Sequence, residues 1–252
     1  MPAKNRLSAL PLAAPSGKPD ASRCSYPCRG STHVKIEFGC AAAKLAGNFM
    51  EENSSAKNKW FSQFNRIVLL DSIATEIAVF GEKIGLQDFV QVMDMNCGAV
   101  PAGNFEQVVD LDCPEQFLAM YTQIAHNRFA FAAINVSRAN PQAEKIMEDY
   151  CRNVGSANEI SGVSSCEQAM QFFDAYVLNG MPGENVHVFE EKSQVRFVWH
   201  DEKDLQLPVW QKFGGSAELY RKLLEAFVNG LLNRCGFSFK IDGEKFILSA
   251  DA

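Results

Sequence analysis

Apolar residues recur every three or four positions through much of residues 57–177, and the period then drops to two from Val186 onward. The first pattern is that of helices with one buried face, the second that of half-buried strands. Residues 57–80 carry Trp60, Phe64, Ile67, Val68, Ala74, Ile77 and Ala78 at helical spacing, and Gly81 and Gly85 loosen the end. Leu86–Met95 fits a helix or a strand equally well, and Asn96–Asn104, with Gly98, Pro101 and Gly103, reads as a loop. Asp112-Cys113-Pro114-Glu115 predicts a helix start, with Asp112 as cap, Pro114 in the first turn and Glu115 reaching back. By spacing, that helix buries Phe117, Met120, Tyr121, Ile124, Phe129 and Phe131. Asn140-Pro141 opens another, closing near Gly155. Ser165-Cys166-Glu167-Gln168 starts one more, with Met170, Phe173, Tyr176 and Val177 inward and a stop at Asn179-Gly180.

Val186–Phe189 and Val195–Trp199 then alternate around a polar turn, which predicts a hairpin. Ser216 caps a helix with the apolar pairs Leu219/Tyr220, Leu223/Leu224, Phe227/Val228 and Leu231/Leu232, a stripe wide enough to lie flat on a sheet. Gly230 on that helix permits close approach, and Gly236 ends it. Phe237–Ile241, Asp242-Gly243 and Lys245–Leu248 make the last hairpin. The expected fold class is α+β: a mainly helical N-terminal part packed on a small antiparallel four-stranded sheet formed late in the chain.

Upstream, Val34–Phe38 alternates as a short strand, and Cys40–Met50 reads as a helix of small residues. Up to Lys35 there are six basic residues against Asp20 alone, a net +5 that leaves −11 for the remainder. Pro2, Pro11, Pro15, Pro19 and Pro27 fall in the same stretch. Residues 1–32 therefore read as a disordered basic tail, and 33–252 as a single α+β domain. A basic, acid-poor segment is also the composition of a targeting peptide, although Pro11 interrupts the Leu7–Ala14 run and argues against a secretory signal.

With 47% apolar residues the chain can bury a substantial core, and its net charge of −6 argues against a nucleic-acid surface. No run approaches the ~20 apolar residues of a membrane span. Eight cysteines, scattered without a tight framework, fit free thiols and a cytoplasmic location.

The Leu219–Gly236 helix, beginning Leu-Tyr-Arg-Lys-Leu-Leu-Glu-Ala-Phe-Val-Asn-Gly-Leu-Leu, and the Leu207-Pro208-Val209 approach to it follow one hairpin and precede another. This order resembles the ligand-binding fold shared by vinyl-reductase-like (hydrocarbon-binding) domains, TRAPP vesicle-tethering subunits and H-NOX haem domains, over about a quarter of the chain. The resemblance implies a largely apolar pocket between helices and sheet, in a homodimer, holding a small apolar ligand or a tetrapyrrole-like cofactor. The Tyr-x-Ser-x-Arg haem-propionate motif of H-NOX domains is missing, since Lys212-Phe213-Gly214-Gly215-Ser216 stands in its place. The Cys pair that often ends vinyl-reductase-like domains is also missing from Phe237–Ser249.

Cys24, Cys28, His33 and Cys40 combine the ligand types of a tetrahedral zinc site, at spacings close to those of zinc knuckles. Four further residues are candidates for contact with a ligand: His126 as axial ligand or pocket acid, with Tyr121, Phe129 and Cys97. A hydrogen-bonded structural role is the competing reading of His126. Cys97, on a Gly/Pro-rich loop near Asp110 and Asp112, has the setting of a nucleophile or redox sensor, yet neighbouring carboxylates would raise its pKa. His187 and His200 bracket the first hairpin and are expected to face water. No catalytic residue can be named. The leading expectation is a sensor or small-molecule-binding domain. The alternatives are a reductase or lyase acting on a hydrophobic substrate, and a protein-interaction subunit docking through the Leu219–Leu232 face.

Overall fold

The computed structural model describes residues 56–184 and 186–251. Helices α1 (Ala56–Lys83), α2 (Phe89–Cys97), α3 (Phe105–Val108), α4 (Pro114–Ala139), α5 (Ala143–Ala157) and α6 (Cys166–Tyr176) come first. Strands β1 (His187–Lys192) and β2 (Arg196–Asp201), helices α7 (Gln206–Lys212) and α8 (Ala217–Leu231), and strands β3 (Phe237–Asp242) and β4 (Lys245–Ala250) follow. The α+β layout is as the sequence pattern predicts. The basic tail, the Val34–Phe38 strand, the Cys40–Met50 helix and the Cys24, Cys28, His33 and Cys40 set lie outside the described residues.

All neighbouring strands are antiparallel, in the order β1-β2-β4-β3. The connection through α7 and α8 carries the chain past a vacant position, which β4 then fills between β2 and β3. Asp242 pairs with Lys245, so Gly243-Glu244 forms the tight turn, one residue later than the Asp-Gly pattern suggests. Gly243 supplies the positive φ of 62° that such a turn needs.

One sheet face carries the core. Phe197, Trp199, Phe239 and Leu248 are buried there, and Phe173 of α6 packs edge-on against Trp199 at 5.6 Å between ring centroids. Burying each such side chain stabilises the fold by about 1.5–3 kcal/mol. The opposite face is laced with charge pairs, Arg196 to Glu191 at 2.7 Å and Lys245 to Glu190 at 2.6 Å. The outer backbone of β3 is occupied by side chains of α8: Asn229 donates to the Phe239 carbonyl at 2.7 Å and accepts from the Phe239 amide at 2.9 Å, while Glu225 accepts from the Ile241 amide at 2.9 Å.

Two expectations about faces need correction. On α4, Met120 is half exposed, and Phe117, Tyr121, Ile124 and Phe131 are only partly buried. The helix instead buries Leu118, Thr122, Ala125 and, from there to Val136, nearly its whole circumference, because α1, α2, α5, α7 and α8 all pack around it. Small Ala130, Ala132 and Ala133 let them come close, and a wheel weighted toward large side chains overlooks that face. Helix α8, expected to lie flat on the sheet, packs most extensively on α5 and reaches the sheet at β3. Its wide stripe serves two partners.

The start signals hold in part. Ser165 Oγ accepts from the Gln168 amide at 3.3 Å, but Gln168 Oε1 bonds the Ser164 amide at 2.8 Å rather than closing a box on Ser165. Pro114 sits in the first turn of α4, whereas Cys113 takes the cap position and the Asp112 amide donates to Asp110 Oδ1. Ser216 stands at the N-cap of α8 without a side-chain cap bond. The undecided Leu86–Met95 segment is helical as α2, and the single turn α3 within 105–108 has no counterpart in the sequence reading.

Candidate functional site

A cleft of about 270 Å3 opens where the end of β2, the β3–β4 turn and helices α6, α7 and α8 meet. Phe173, Val177, Tyr220, Leu224 and Phe246 supply apolar and aromatic walls. Asp201, Glu202, Asp204 and Glu244 supply carboxylates, with Arg221, Asn179 and Gln206 beside them.

Local chemistry fixes this geometry. Asp204 Oδ1 accepts from the Gln206 amide at 2.9 Å and the Leu207 amide at 2.8 Å, satisfying the free N–H groups that start α7. Its other oxygen takes Arg221 of α8 at 3.2 Å. Asp201, the last residue of β2, accepts from Asn179 Nδ2 at 3.0 Å and holds His187 Nδ1 at 2.7 Å, while His187 Nε2 reaches Asp174 at 3.2 Å. The expectation that His187 faces water is therefore corrected: it is mostly covered, ringed by Phe173, Phe189 and Trp199, and clamped by two carboxylates from α6 and β2.

Burial works against the His187 charge, but the hydrogen bonds and attraction of Asp174 and Asp201 outweigh it and push its pKa up to about 9. A base whose folded pKa lies above its unfolded value stabilises fully below the unfolded value, about 6.5, and loses that contribution as pH rises through about 9. His187→Gln should therefore flatten the stability profile between those pH values. The wild-type loss across the window should be on the order of 1–2 kcal/mol after solvent screening. Denaturant midpoints at pH 6 and pH 9.5 for both proteins measure it, and parallel profiles would contradict the clamp.

Behind the cleft wall, Gln206 Nε2 bonds His126 Nδ1 at 3.0 Å. Both residues are buried, and in this arrangement His126 Nε2 and Gln206 Oε1 have no partner among the described residues. Burial drives the His126 pKa down to about 4, although the Gln206 bond raises it, so the ring is neutral at pH 7. A neutral ring carries no imidazolium proton to give up at that pH.

The four candidate ligand residues do not converge. Phe129 lines an apolar hollow of about 40 Å3 with Ile73, Tyr220 and Leu223, and His126, Tyr121 and Cys97 are absent from its wall. Tyr121 lies against Phe117 in a second core cluster, 4.5 Å between ring centroids. Cys97 ends α2 and is buried, which pushes its pKa up to about 11 despite nearby Arg128 and Lys212. That removes the nucleophile or redox-sensor setting. Cys97, Cys113, Cys151, Cys166 and Cys235 are all free. Among the described residues no cluster of His, Cys, Asp and Glu could hold a metal ion, and no helix is long and apolar enough to cross a membrane.

No family model, curated protein or solved structure matches the chain. The likeness noted in the sequence is one of element order.

The sequence reading missed the cleft residues because they come from five elements and share no spacing. One signal was present: Asp201, Glu202 and Asp204 bunch directly after a strand whose other residues are apolar, aromatic or basic. Carboxylates gathered at a strand end, where the chain leaves the sheet, mark a common place for a site.

Proposed function

We propose that the protein is a small-molecule-binding domain whose ligand occupies the cleft between the β2 end, the β3–β4 turn and helices α6–α8. The observation that carries this reading is the pairing of aromatic and aliphatic walls with a few converging polar groups in one concavity of about 270 Å3. The ligand is smaller than a tetrapyrrole. The cleft lies just below the usual ~300–1,000 Å3 of small-molecule pockets, and the apolar hollow beside Phe129, about 40 Å3, has room only for a water or so. Binding is favoured over proton-transfer chemistry, because both ring nitrogens of His187, the imidazole held by the cleft residue Asp201, are engaged by carboxylates.

Amide chemical-shift mapping with a library of soluble fragments tests the proposal. Hits should perturb Gln206, Arg221 and Phe246 together, and Glu244→Trp at the exposed rim should abolish them while leaving the unfolding midpoint unchanged. Hits confined to other surfaces, or none at all, would remove the cleft as a binding site.

A further inference from the structure

We infer that the ligand of this cleft is an organic cation, an alkylammonium or amidinium group attached to an apolar body, an inference that rests on the reading of the cleft as a small-molecule site. Three observations converge on that charge.

The first is the balance of charge. Among the described residues four carboxylates line the cleft, those of Asp201, Glu202, Asp204 and Glu244, against the single cationic side chain of Arg221. Arg221 is held by Asp204, and the adjacent His187 imidazolium by Asp201 and Asp174. No ion pair within the described residues engages Glu202 or Glu244. An anionic ligand would meet net repulsion there, whereas a cation would bring the missing charge.

The second is Gln206, which lines the cleft, is 4% exposed, and has a carbonyl oxygen without a partner among the described residues. One N–H of its amide goes to His126, and the carbonyl oxygen is the atom left with no partner among the described residues. A buried acceptor left empty destabilises the fold. An ammonium or amidinium N–H supplies the donor once the Gln206 side chain turns that oxygen, which has almost no accessible surface, toward the cleft.

The third is the wall itself. Phe173, Tyr220 and Phe246 give aromatic surface in the same concavity, and an organic cation is attracted to ring faces as well as to carboxylates. A bare metal ion would use none of that surface, and the described residues hold no metal-binding cluster.

Three probes with one apolar body separate the possibilities: 3-phenylpropylamine, 3-phenylpropanol and 3-phenylpropionate, titrated into the whole 252-residue chain at pH 7 and followed by amide shifts. The amine should bind at Gln206, Glu244 and Phe246 at least tenfold more tightly than the alcohol, and the carboxylate should not bind. Glu202→Gln combined with Glu244→Gln should weaken the amine about tenfold and leave the alcohol and the unfolding midpoint unchanged. Equal affinity for amine and alcohol, or preference for the carboxylate, overturns the inference while the cleft stands as a binding site. The same shifts produced by calcium ions at lower concentration than the amine also overturn it. Silence from all three probes, with no cleft hits in the wider fragment library, removes the site and the inference together.

Discussion

Gly230→Ala should destabilise the protein by on the order of 3 kcal/mol, although helix propensity alone points the other way. Alanine in a helix interior is favoured over glycine by about 1 kcal/mol. The opposing effect is steric. A Cβ on Gly230 would overlap the Arg152 carbonyl oxygen and lie 2.9 Å from the Ser156 nitrogen. A Cβ on Gly155 would overlap the Phe227 carbonyl oxygen and lie 2.9 Å from the Leu231 nitrogen. Helices α5 and α8 thus touch backbone to backbone, and no flexible side chain stands in between to move aside. Either alanine must push the two helices apart, opening the Leu223, Phe227 and Leu231 face that both help to bury. Because the two effects differ in sign, the direction of the change in urea midpoint decides the matter: an unchanged or more stable Gly230→Ala protein would mean that the helices do not meet as described. Gly155→Ala should behave alike, and the double variant should lose less than the sum, since both methyl groups strain one contact.

Arg128→Met should cost about 3–5 kcal/mol, the loss expected when one member of a buried ionic network is removed. Arg128 is 4% exposed on the central helix α4. It bonds Asp71 of α1, Asp94 of α2, Thr75 and the Gly98 carbonyl, and so ties three helices and the loop after Cys97 to one guanidinium. Burial already raises the Asp71 pKa above its ordinary value, with Arg128 pulling it back. Without Arg128 it rises further. An acid whose folded pKa exceeds its unfolded one keeps its proton in the folded state after the unfolded chain has lost it, so stability falls as pH rises across that interval. The Arg128→Met deficit should accordingly be smaller at pH 4 than at pH 7, and Asp71→Asn in the same chain should recover part of it. A pH-independent deficit with no recovery would show that the stabilisation by Arg128 does not come from offsetting the Asp71 charge.

These two residues show how far the sequence could be read. Gly230 announces itself: a glycine amid paired aliphatic residues on a strongly amphipathic helix has few uses besides close approach. Gly155 does not, because glycine near the end of a helical pattern reads as a stop, while the helix runs on to Ala157. Arg128 stands in an apolar stretch as one more charged residue, and only the fold brings Asp71 and Asp94 to it. The late strands were legible because alternation is a local property, and their antiparallel layer followed from two hairpins. The order β1-β2-β4-β3 was not legible, since insertion of β4 beside β2 depends on how α7 and α8 return to the sheet. The cleft has the same origin: Asp201, Arg221 and Phe246 stand far apart in sequence and become neighbours only through that return.

The ties from Asn229 and Glu225 to β3 have a consequence for assembly. With that border stitched to its own helix, the sheet has, among the described residues, a single margin, β1, where another chain could add. Two molecules joined margin to margin would form a finished pair whose outer borders are both sealed, so growth stops at two and a filament has no way to propagate.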